Sequence, residues 1–119
     1  MSDAFDVAAL EWQPVRPDVA RGVFGKTLLA GEVKIVLTRV APGGRFDLHR
    51  DDYVHLFYFL SGQGTVWVND QKFSAAPGLV VRVSAGDLHA YENAGAQDLV
   101  LISANLPNLQ SLIPNTQSH

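Results

Sequence analysis

Turn-forming residues divide this chain into segments too short for ordinary helices, and this division most constrains the fold. Glycine, proline or an asparagine–aspartate pair interrupts the sequence at residues 30–31, 42–44, 61–64, 69–70, 77–78 and 94–95. The runs between these breaks are of strand length and rich in valine, leucine, phenylalanine and threonine. Short strands with regular turn signals predict an all-β fold, either an antiparallel sandwich or a barrel.

Individual strands and turns can be placed along the chain. Strands are predicted over residues 33–40, 57–60, 65–68, 79–83 and 99–104, and residues 61–64 and 69–70 resemble hairpin turns. Only short helical turns are expected, at residues 3–10 and 109–113, before a loose polar tail at 114–119. A length of 119 residues predicts one domain over 1–119, with the barrel core at about 20–106.

Composition argues against several functional classes. The net charge is -3 and the nine basic residues are spread singly, whereas nucleic-acid surfaces cluster them. No apolar run approaches the roughly 20 residues that span a bilayer, and the first residues are acidic where a secretory leader is basic. The chain has no cysteine, which removes disulfides and thiolate ligands. These features lead us to expect a cytoplasmic protein without nucleic-acid or membrane partners.

Three of the four histidines lie between residues 49 and 89. His49 and Asp51 are two residues apart, so on a strand both side chains would point to the same face. His55 opens the next predicted strand, with Phe57 and Phe59 on its own face. His89 follows a glycine turn and shares its face with Tyr91. Imidazoles at the end of apolar strand faces are expected where a barrel holds a metal at its mouth.

The spacing of these residues resembles two motifs of the cupin superfamily. The first motif runs Gly, five residues, His, one, His, three or four, Glu, six, Gly, and this chain places there Gly43, His49, Asp51, His55 and Gly62. The second runs Gly, five, Pro, one, Gly, two, His, three, Asn, and this chain places there Gly78, Ser84, Gly86, His89 and Asn93. The resemblance implies an antiparallel jelly-roll barrel, the double-stranded β-helix of cupins.

The resemblance also implies one divalent transition metal, such as Fe, Ni, Zn or Mn, held by His49, Asp51, His55 and His89. The chain departs from the family where Asp51 replaces a histidine and His55 replaces a glutamate, although three imidazoles and one carboxylate remain. His49, Asp51 and His89 alone would form the two-histidine, one-carboxylate set that suits non-haem Fe(II). Since aspartate is shorter than histidine, Asp51 could instead orient an imidazole and leave three histidines on the metal. A cupin that has lost its metal is a further alternative.

Other residues are candidates for the substrate pocket. Phe57, Phe59 and Tyr91 share the face of the metal ligands, and Tyr91 is the better pocket candidate because a buried hydroxyl needs a partner. Since no spare histidine or glutamate stands out as a general base, Tyr91 or a metal-bound water would be the catalytic group. Arg39 has the parity of an apolar face, residues 33–37, and would meet an anionic substrate if that face were internal. Packing in the core, or a strand end capped by arginine, is the alternative use of these side chains.

Together these features predict a metal-dependent enzyme that acts on a small oxygen-rich metabolite, as an isomerase, a lyase or a dioxygenase. The alternative is a cupin that binds or senses a small ligand without turnover. Residues 11–15, 20–23 and 30–31 also resemble the opening of small cupins that linearise unsaturated uronates. We expect a homodimer, with residues 5–12 and the outer face of residues 79–83 as contacts.

Overall fold

The structure, a computed structural model, describes residues 1–108 and contains nine strands in this range. The strands are β1 (Gln13–Pro14), β2 (Ala20–Leu29), β3 (Lys34–His49), β4 (Val54–Ser61), β5 (Gly64–Val68), β6 (Gln71–Ala75), β7 (Val80–Val83), β8 (His89–Glu92) and β9 (Leu99–Leu106). The pairings among these strands are all antiparallel, which confirms the predicted all-β class.

The long strand β3 curls the sheet into a barrel. Neighbouring strands follow the order β6-β5-β8-β3-β9-β4-β7, with β2 beside β3 and β1 beside β2. The first part of β3, residues 34–40, pairs with β9, whereas residues 45–49 pair with β8. β2 pairs with both parts. A strand that exchanges partners along its length forms a corner, and the sheet therefore closes over an interior.

The predicted break at residues 42–44 is a bend inside β3. Gly43 adopts a φ of +80°, which is accessible to glycine at little steric cost. Its amide donates to the Asn93 carbonyl at 2.8 Å, and the Asn93 amide donates to the Gly44 carbonyl at 2.9 Å. The turn signal therefore marks the corner of one continuous strand.

The hairpin predicted at residues 61–64 is wrong. β4 pairs with β7 and β9, and β5 pairs with β6 and β8, so this segment carries the chain between distant parts of the sheet. Gly62 is required there because a β-carbon would collide with the backbone of Asp98 and Leu99. The second hairpin, at Asn69 and Asp70, is confirmed by the pairing of β5 with β6.

The apolar core fills one end of the interior. Side chains that are almost completely buried include Val40, Phe59, Val66, Leu99 and Leu101. Leu101 pairs with Phe59 at the start of β9, whereas Asn105 pairs with His55 near its end. The interior therefore changes from hydrocarbon to polar groups along the same strands.

The N-terminal helical turn is a 3₁₀ helix, Val7–Ala9, capped by Asp6, whose carboxylate accepts from the Ala8 amide at 2.9 Å. The helical turn expected at 109–113 and the tail at 114–119 lie outside the described residues. Within residues 1–108, no helix is both long and apolar enough to cross a membrane.

Candidate metal centre

A cavity of about 360 Å³ occupies the polar end of the barrel. Four elements contribute most of its wall: the segment before β2, and strands β3, β4 and β9. The lining side chains include Gln13, Arg16, Lys34, Thr38, Phe46, Tyr53, His55, Phe57, His89, Tyr91, Ser103 and Asn105. This volume lies within the range that small-molecule sites occupy.

Three predicted ligands converge at this end. One potential ligand atom from each of His49, Asp51 and His89 lies within 4.8 Å of the others. Asp51 Oδ2 is 3.1 Å from His49 Nε2 and 3.7 Å from His89 Nε2. The side chains are at most one-tenth exposed. The cluster therefore offers two imidazole nitrogens and one carboxylate oxygen to a single point, which is a donor set that suits a divalent transition metal.

The backbone fixes the tautomer of both histidines. His49 Nδ1 lies 2.7 Å from the Asp47 carbonyl, and His89 Nδ1 lies 3.0 Å from the Asp87 carbonyl. A carbonyl only accepts, so each Nδ1 carries the proton and each Nε2 directs a lone pair into the cluster. Within residues 1–108, His49 Nε2 is buried and has no hydrogen-bond partner. A buried lone pair that faces a carboxylate is the arrangement that a cation between them would satisfy, so these residues fit a metal ion.

His55 lies beside the cluster and has a different hydrogen-bonding pattern. Its Nε2 is 2.9 Å from Asp51 Oδ2, and His55 lies opposite Asn105 in the pairing of β4 with β9. An ionised carboxylate only accepts, so His55 donates to Asp51. The structure thus brings all four predicted ligands together, with three of them forming the metal-compatible group.

Burial sets the protonation states. Desolvation lowers the pKa of His89 to about 4, and it lowers the pKa of His55 despite the neighbouring carboxylate. Burial alone would raise the pKa of Asp51, but the hydrogen bond from His55 and nearby positive charge outweigh it, so that pKa is lowered. At neutral pH, His55 and His89 are therefore neutral and Asp51 is ionised, and these are the forms in which such groups ligate metals.

A register shift in β3 and the loop that follows this strand bring His49 and Asp51 to the cluster. The register of β3 against β8 shifts between Phe46 and His49, and their rings stack with centroids 4.6 Å apart although the two residues are three positions apart. β3 ends at His49, and Asp51 lies in the connection to β4, where its carbonyl accepts from the Gly86 amide at 2.7 Å. Asp51 therefore reaches the cluster from a loop, whereas the spacing argument had placed it on a strand.

The predicted pocket residues divide into two groups. Phe57 and Tyr91 line the cavity, and their rings meet edge to face at 5.5 Å. Burial raises the pKa of Tyr91, so its hydroxyl stays protonated at neutral pH. Phe59 is fully buried in the core and does not line the cavity.

Arg39 also lies away from the cavity, on the outer face of β3. Its guanidinium carbon is 4.9 Å from the centre of the Trp12 ring and 5.0 Å from that of Phe24. Nη1 is 3.8 Å from Asp98 Oδ2. These contacts hold Arg39 on the outside of the barrel. The apolar face that Arg39 shares with alternate residues of 33–37 is therefore external.

Several cavity residues were not among the sequence-based candidates. Thr38 and Ser103 form a polar patch on the wall, with their hydroxyl oxygens 3.0 Å apart. Arg16 reaches the site from the N-terminal segment, 35 positions before Asp51. On β9, the alternation of Leu101, Ser103 and Asn105 places these residues on one face, and this pattern could have identified Ser103 and Asn105 as cavity residues. No spacing rule points to Arg16.

The family match agrees with this geometry. Residues 36–105 match the family model Cupin_2, described as a cupin domain. This match covers more than half of the chain and includes both motifs. The chain belongs to the cupin family.

Comparison with individual proteins supports the same fold. The auxin-binding protein T92 of Nicotiana tabacum is 30% identical over 77 residues, which cover 56% of this chain and 41% of that protein. The polyketide cyclase RemF from Streptomyces resistomycificus superposes with a TM-score of 0.80 at 18% identity, over 92% of this chain and 81% of that chain. KdgF from Halomonas sp. superposes with a TM-score of 0.78 at 18% identity, over 93% of this chain and all of that chain. At these identities the structural likeness shows the fold alone.

Proposed function

We propose that this protein is a metal-dependent enzyme whose substrate is a small oxygen-rich metabolite, with isomerase, lyase or dioxygenase chemistry. The observation that carries the proposal is the pair of Nε2 lone pairs of His49 and His89 that face the Asp51 carboxylate at the end of an internal cavity. We assign the ion to His49, Asp51 and His89, and we assign His55 the role of orienting Asp51 through its hydrogen bond.

The remaining cavity groups support a substrate rich in oxygen. Thr38 and Ser103 offer hydroxyls, and Asn105 offers an amide beside His55. The apolar rings of Phe46 and Phe57 also line the cavity. A small molecule with several carbonyl, hydroxyl or carboxylate oxygens would satisfy the polar wall while its carbon frame contacts the rings.

A bound Fe, Ni, Zn or Mn ion would supply Lewis-acid or redox chemistry at the cluster. Tyr91 is the candidate general acid, because burial raises the pKa of its hydroxyl and keeps it protonated. In this role, the Tyr91 hydroxyl donates a hydrogen bond to a substrate oxygen. The uronate-linearising cupins, which the N-terminal flank resembles, provide the first substrates to assay.

A ligand-binding protein without turnover is the second candidate. Two observations favour it. Among the described residues, Tyr53 and Tyr91 are the only tyrosine or histidine side chains on the wall besides the predicted ligands, and the matched tobacco protein is described as auxin-binding. Burial raises the pKa of both tyrosines, so neither is a base at neutral pH. Turnover of sugars, uronates or diketones by metal-loaded protein separates the enzyme from the binding protein.

Metal stoichiometry tests the assignment of the site. Protein purified without a histidine tag should bind one divalent ion per chain, and His49→Ala and His89→Ala should each abolish stoichiometric binding. Asp51→Ala should be nearly as severe if its carboxylate is a direct ligand, but only about 10–100-fold weaker if it supports an imidazole. Asp52→Ala, the adjacent exposed carboxylate, is the matched control.

The readout is elemental analysis together with metal titration, after circular dichroism has shown that each variant is folded. Full occupancy in folded His49→Ala and His89→Ala would place the metal elsewhere. A wild-type protein that binds no divalent ion would leave the metal-free binding protein as the better interpretation.

A further inference from the structure

The N-terminal arm, defined as residues 13–19, forms part of the cavity wall. Gln13, Pro14, Val15 and Arg16 all line the cavity. The arm is held by the pairing of β1 with β2 and by the Val15 amide, which donates to the Val23 carbonyl at 3.0 Å. Gly25 permits this contact, because a β-carbon there would lie 2.9 Å from Val15 Cγ2. The arm is therefore packed directly onto the barrel beside the candidate metal centre.

Arg16 is fixed within this arm. Its φ is +43°, a left-handed conformation that non-glycine residues adopt infrequently. Its carbonyl accepts from the Val19 amide at 2.9 Å and from the Ala20 amide at 2.8 Å. Asp18 receives Nε and Nη2 of the guanidinium at 3.2 Å each. Backbone and side chain are thus both restrained, and one nitrogen remains to contact another group.

That nitrogen, Nη1, lies 3.3 Å from Asp51 Oδ1. The other oxygen, Oδ2, is the one that faces His49, His55 and His89. The two oxygens of Asp51 are therefore divided, with one held by the arm and the other directed to the cluster. Without Arg16, the carboxylate could rotate and present both oxygens to the same ion.

We propose that Arg16 is a positioning residue of the metal centre, which holds Oδ1 so that Oδ2 alone is presented to the ion. This inference rests on the proposed metal site with Asp51 as a direct ligand. The bidentate pairing with Asp18 offsets the charge of Arg16, so the contribution of Arg16 is mainly the orientation of the carboxylate. The arm thereby couples the N-terminal segment to the coordination of the ion.

Titration with Co²⁺ tests this inference, because the visible absorption of Co²⁺ reports coordination geometry as well as binding. Arg16→Ala should weaken Co²⁺ binding by about 10–100-fold, as is typical when the partner of a ligand is removed. It should also change the visible band, since Asp51 is free to coordinate differently. Arg16→Lys, which keeps a charge but lacks the fork that spans Asp18 and Asp51, should restore only part of the affinity and spectrum.

Arg21→Ala is the matched control, because it removes a neighbouring exposed arginine that does not line the cavity. It should leave both affinity and spectrum as in the wild type. Folded Arg16→Ala or Arg16→Lys with wild-type affinity and spectrum would overturn the inference while leaving the metal site intact. If Co²⁺ binds the wild type but His49→Ala keeps full occupancy, the proposed site itself fails and the role of Arg16 fails with it.

Discussion

The two faces of strands β3, β9, β4 and β7 differ in a way that reverses the usual expectation for an antiparallel sheet. The inner face carries polar groups, among them Thr38, His55, Ser103 and Asn105, in addition to its packed core. The outer face carries Leu37, Ile102, Tyr58 and Val80, which the strand registers place side by side in one row. A second row contains Ile35, Ala104 and Leu56.

Antiparallel sheets commonly have one apolar face on the core and one polar face in water. Here the polar side chains of the inner face belong to a cavity with a candidate metal centre, which explains their position. In these outer rows Tyr58 and Val80 are exposed, whereas Ala104 is buried and the other apolar side chains are half-buried. Polar side chains inside the barrel therefore mark the candidate site, and we propose that the exposed apolar side chains outside it mark a surface for association.

The largest expected effect is on the packed end of the inner face. Phe59 is fully buried, whereas the next residue on β4, Leu60, is 39% exposed on the outer face. Phe59→Ala should lower the free energy of unfolding by about 3–5 kcal/mol, because it leaves a cavity in a close-packed interior. Leu60→Ala should cost less than about 1 kcal/mol. Chemical denaturation of both variants measures the contrast.

Equal losses at these two positions would contradict the assignment of inner and outer faces. A loss at Leu60 that increases with protein concentration would instead indicate that association buries the outer face.

A smaller effect on the free energy of unfolding is expected when the pH is lowered, because histidines are buried at the polar end of the same interior. The pKa of His89 is lowered to about 4 in the folded protein, and that of His55 is lowered as well, in both cases because burial disfavours the charged ring. Above pH 6.5, the ordinary histidine pKa, folded and unfolded chains both hold these rings neutral. Between pH 6.5 and 4 the unfolded chain binds protons that the folded chain does not, so stability falls as the pH decreases.

Each such proton contributes a slope of about 1.4 kcal/mol per pH unit inside this window. In chelator-treated protein, His89→Gln should reduce the slope of the unfolding free energy against pH by the contribution of about one proton. This holds whatever the effect of the substitution on stability at pH 7. Denaturant unfolding at several pH values gives the measurement. A slope that is unchanged in folded His89→Gln would show that His89 does not resist protonation.

Sequence patterns predicted much of the fold because strand length and turns are local properties. The strands at 33–40, 79–83 and 99–104 correspond to parts of β3, β7 and β9. The partner of each strand is a non-local property, and for this reason residues 61–64 were mistaken for a hairpin. Arg39 was ambiguous because the outer face of β3, with Ile35 and Leu37, is more apolar than the cavity face, with Lys34 and Thr38, so alternation alone did not distinguish the inside from the outside.

The site was predictable where it followed family spacing and unpredictable where it depended on packing. His49, Asp51, His55 and His89 are near one another as the motif spacing predicted. The division of roles between His55 and the other histidines depends on hydrogen bonds to Asp51, Asp47 and Asp87. The approach of Arg16 depends on an arm that only the folded barrel can hold.

The smallest expected effect on the folded chain comes from substitutions in the outer apolar rows. Val80 is 50% exposed and Tyr58 is 43% exposed, and both extend a row of apolar side chains across four strands. Exposed apolar patches of this continuity mark interaction surfaces. Of the contacts expected from the sequence, Val80 on β7 and Phe5 are exposed, whereas Trp12 is half-buried and its ring contacts Lys26 and Arg39 of its own chain. We propose a second copy of the chain as the partner of this face, because two such faces can meet about a two-fold axis.

Val80→Glu should therefore convert a dimer into a monomer without changing the circular dichroism spectrum, because the charge is placed on the apolar outer face but not in the core of the barrel. Sedimentation velocity at micromolar concentration measures the change. Leu48→Glu is the matched control, since Leu48 is 57% exposed but lies outside the rows, on the part of β3 that pairs with β8. Leu48→Glu should sediment as the wild type does. A wild-type protein that sediments as a monomer would disprove the dimer, and the outer apolar rows would then require a partner of another kind.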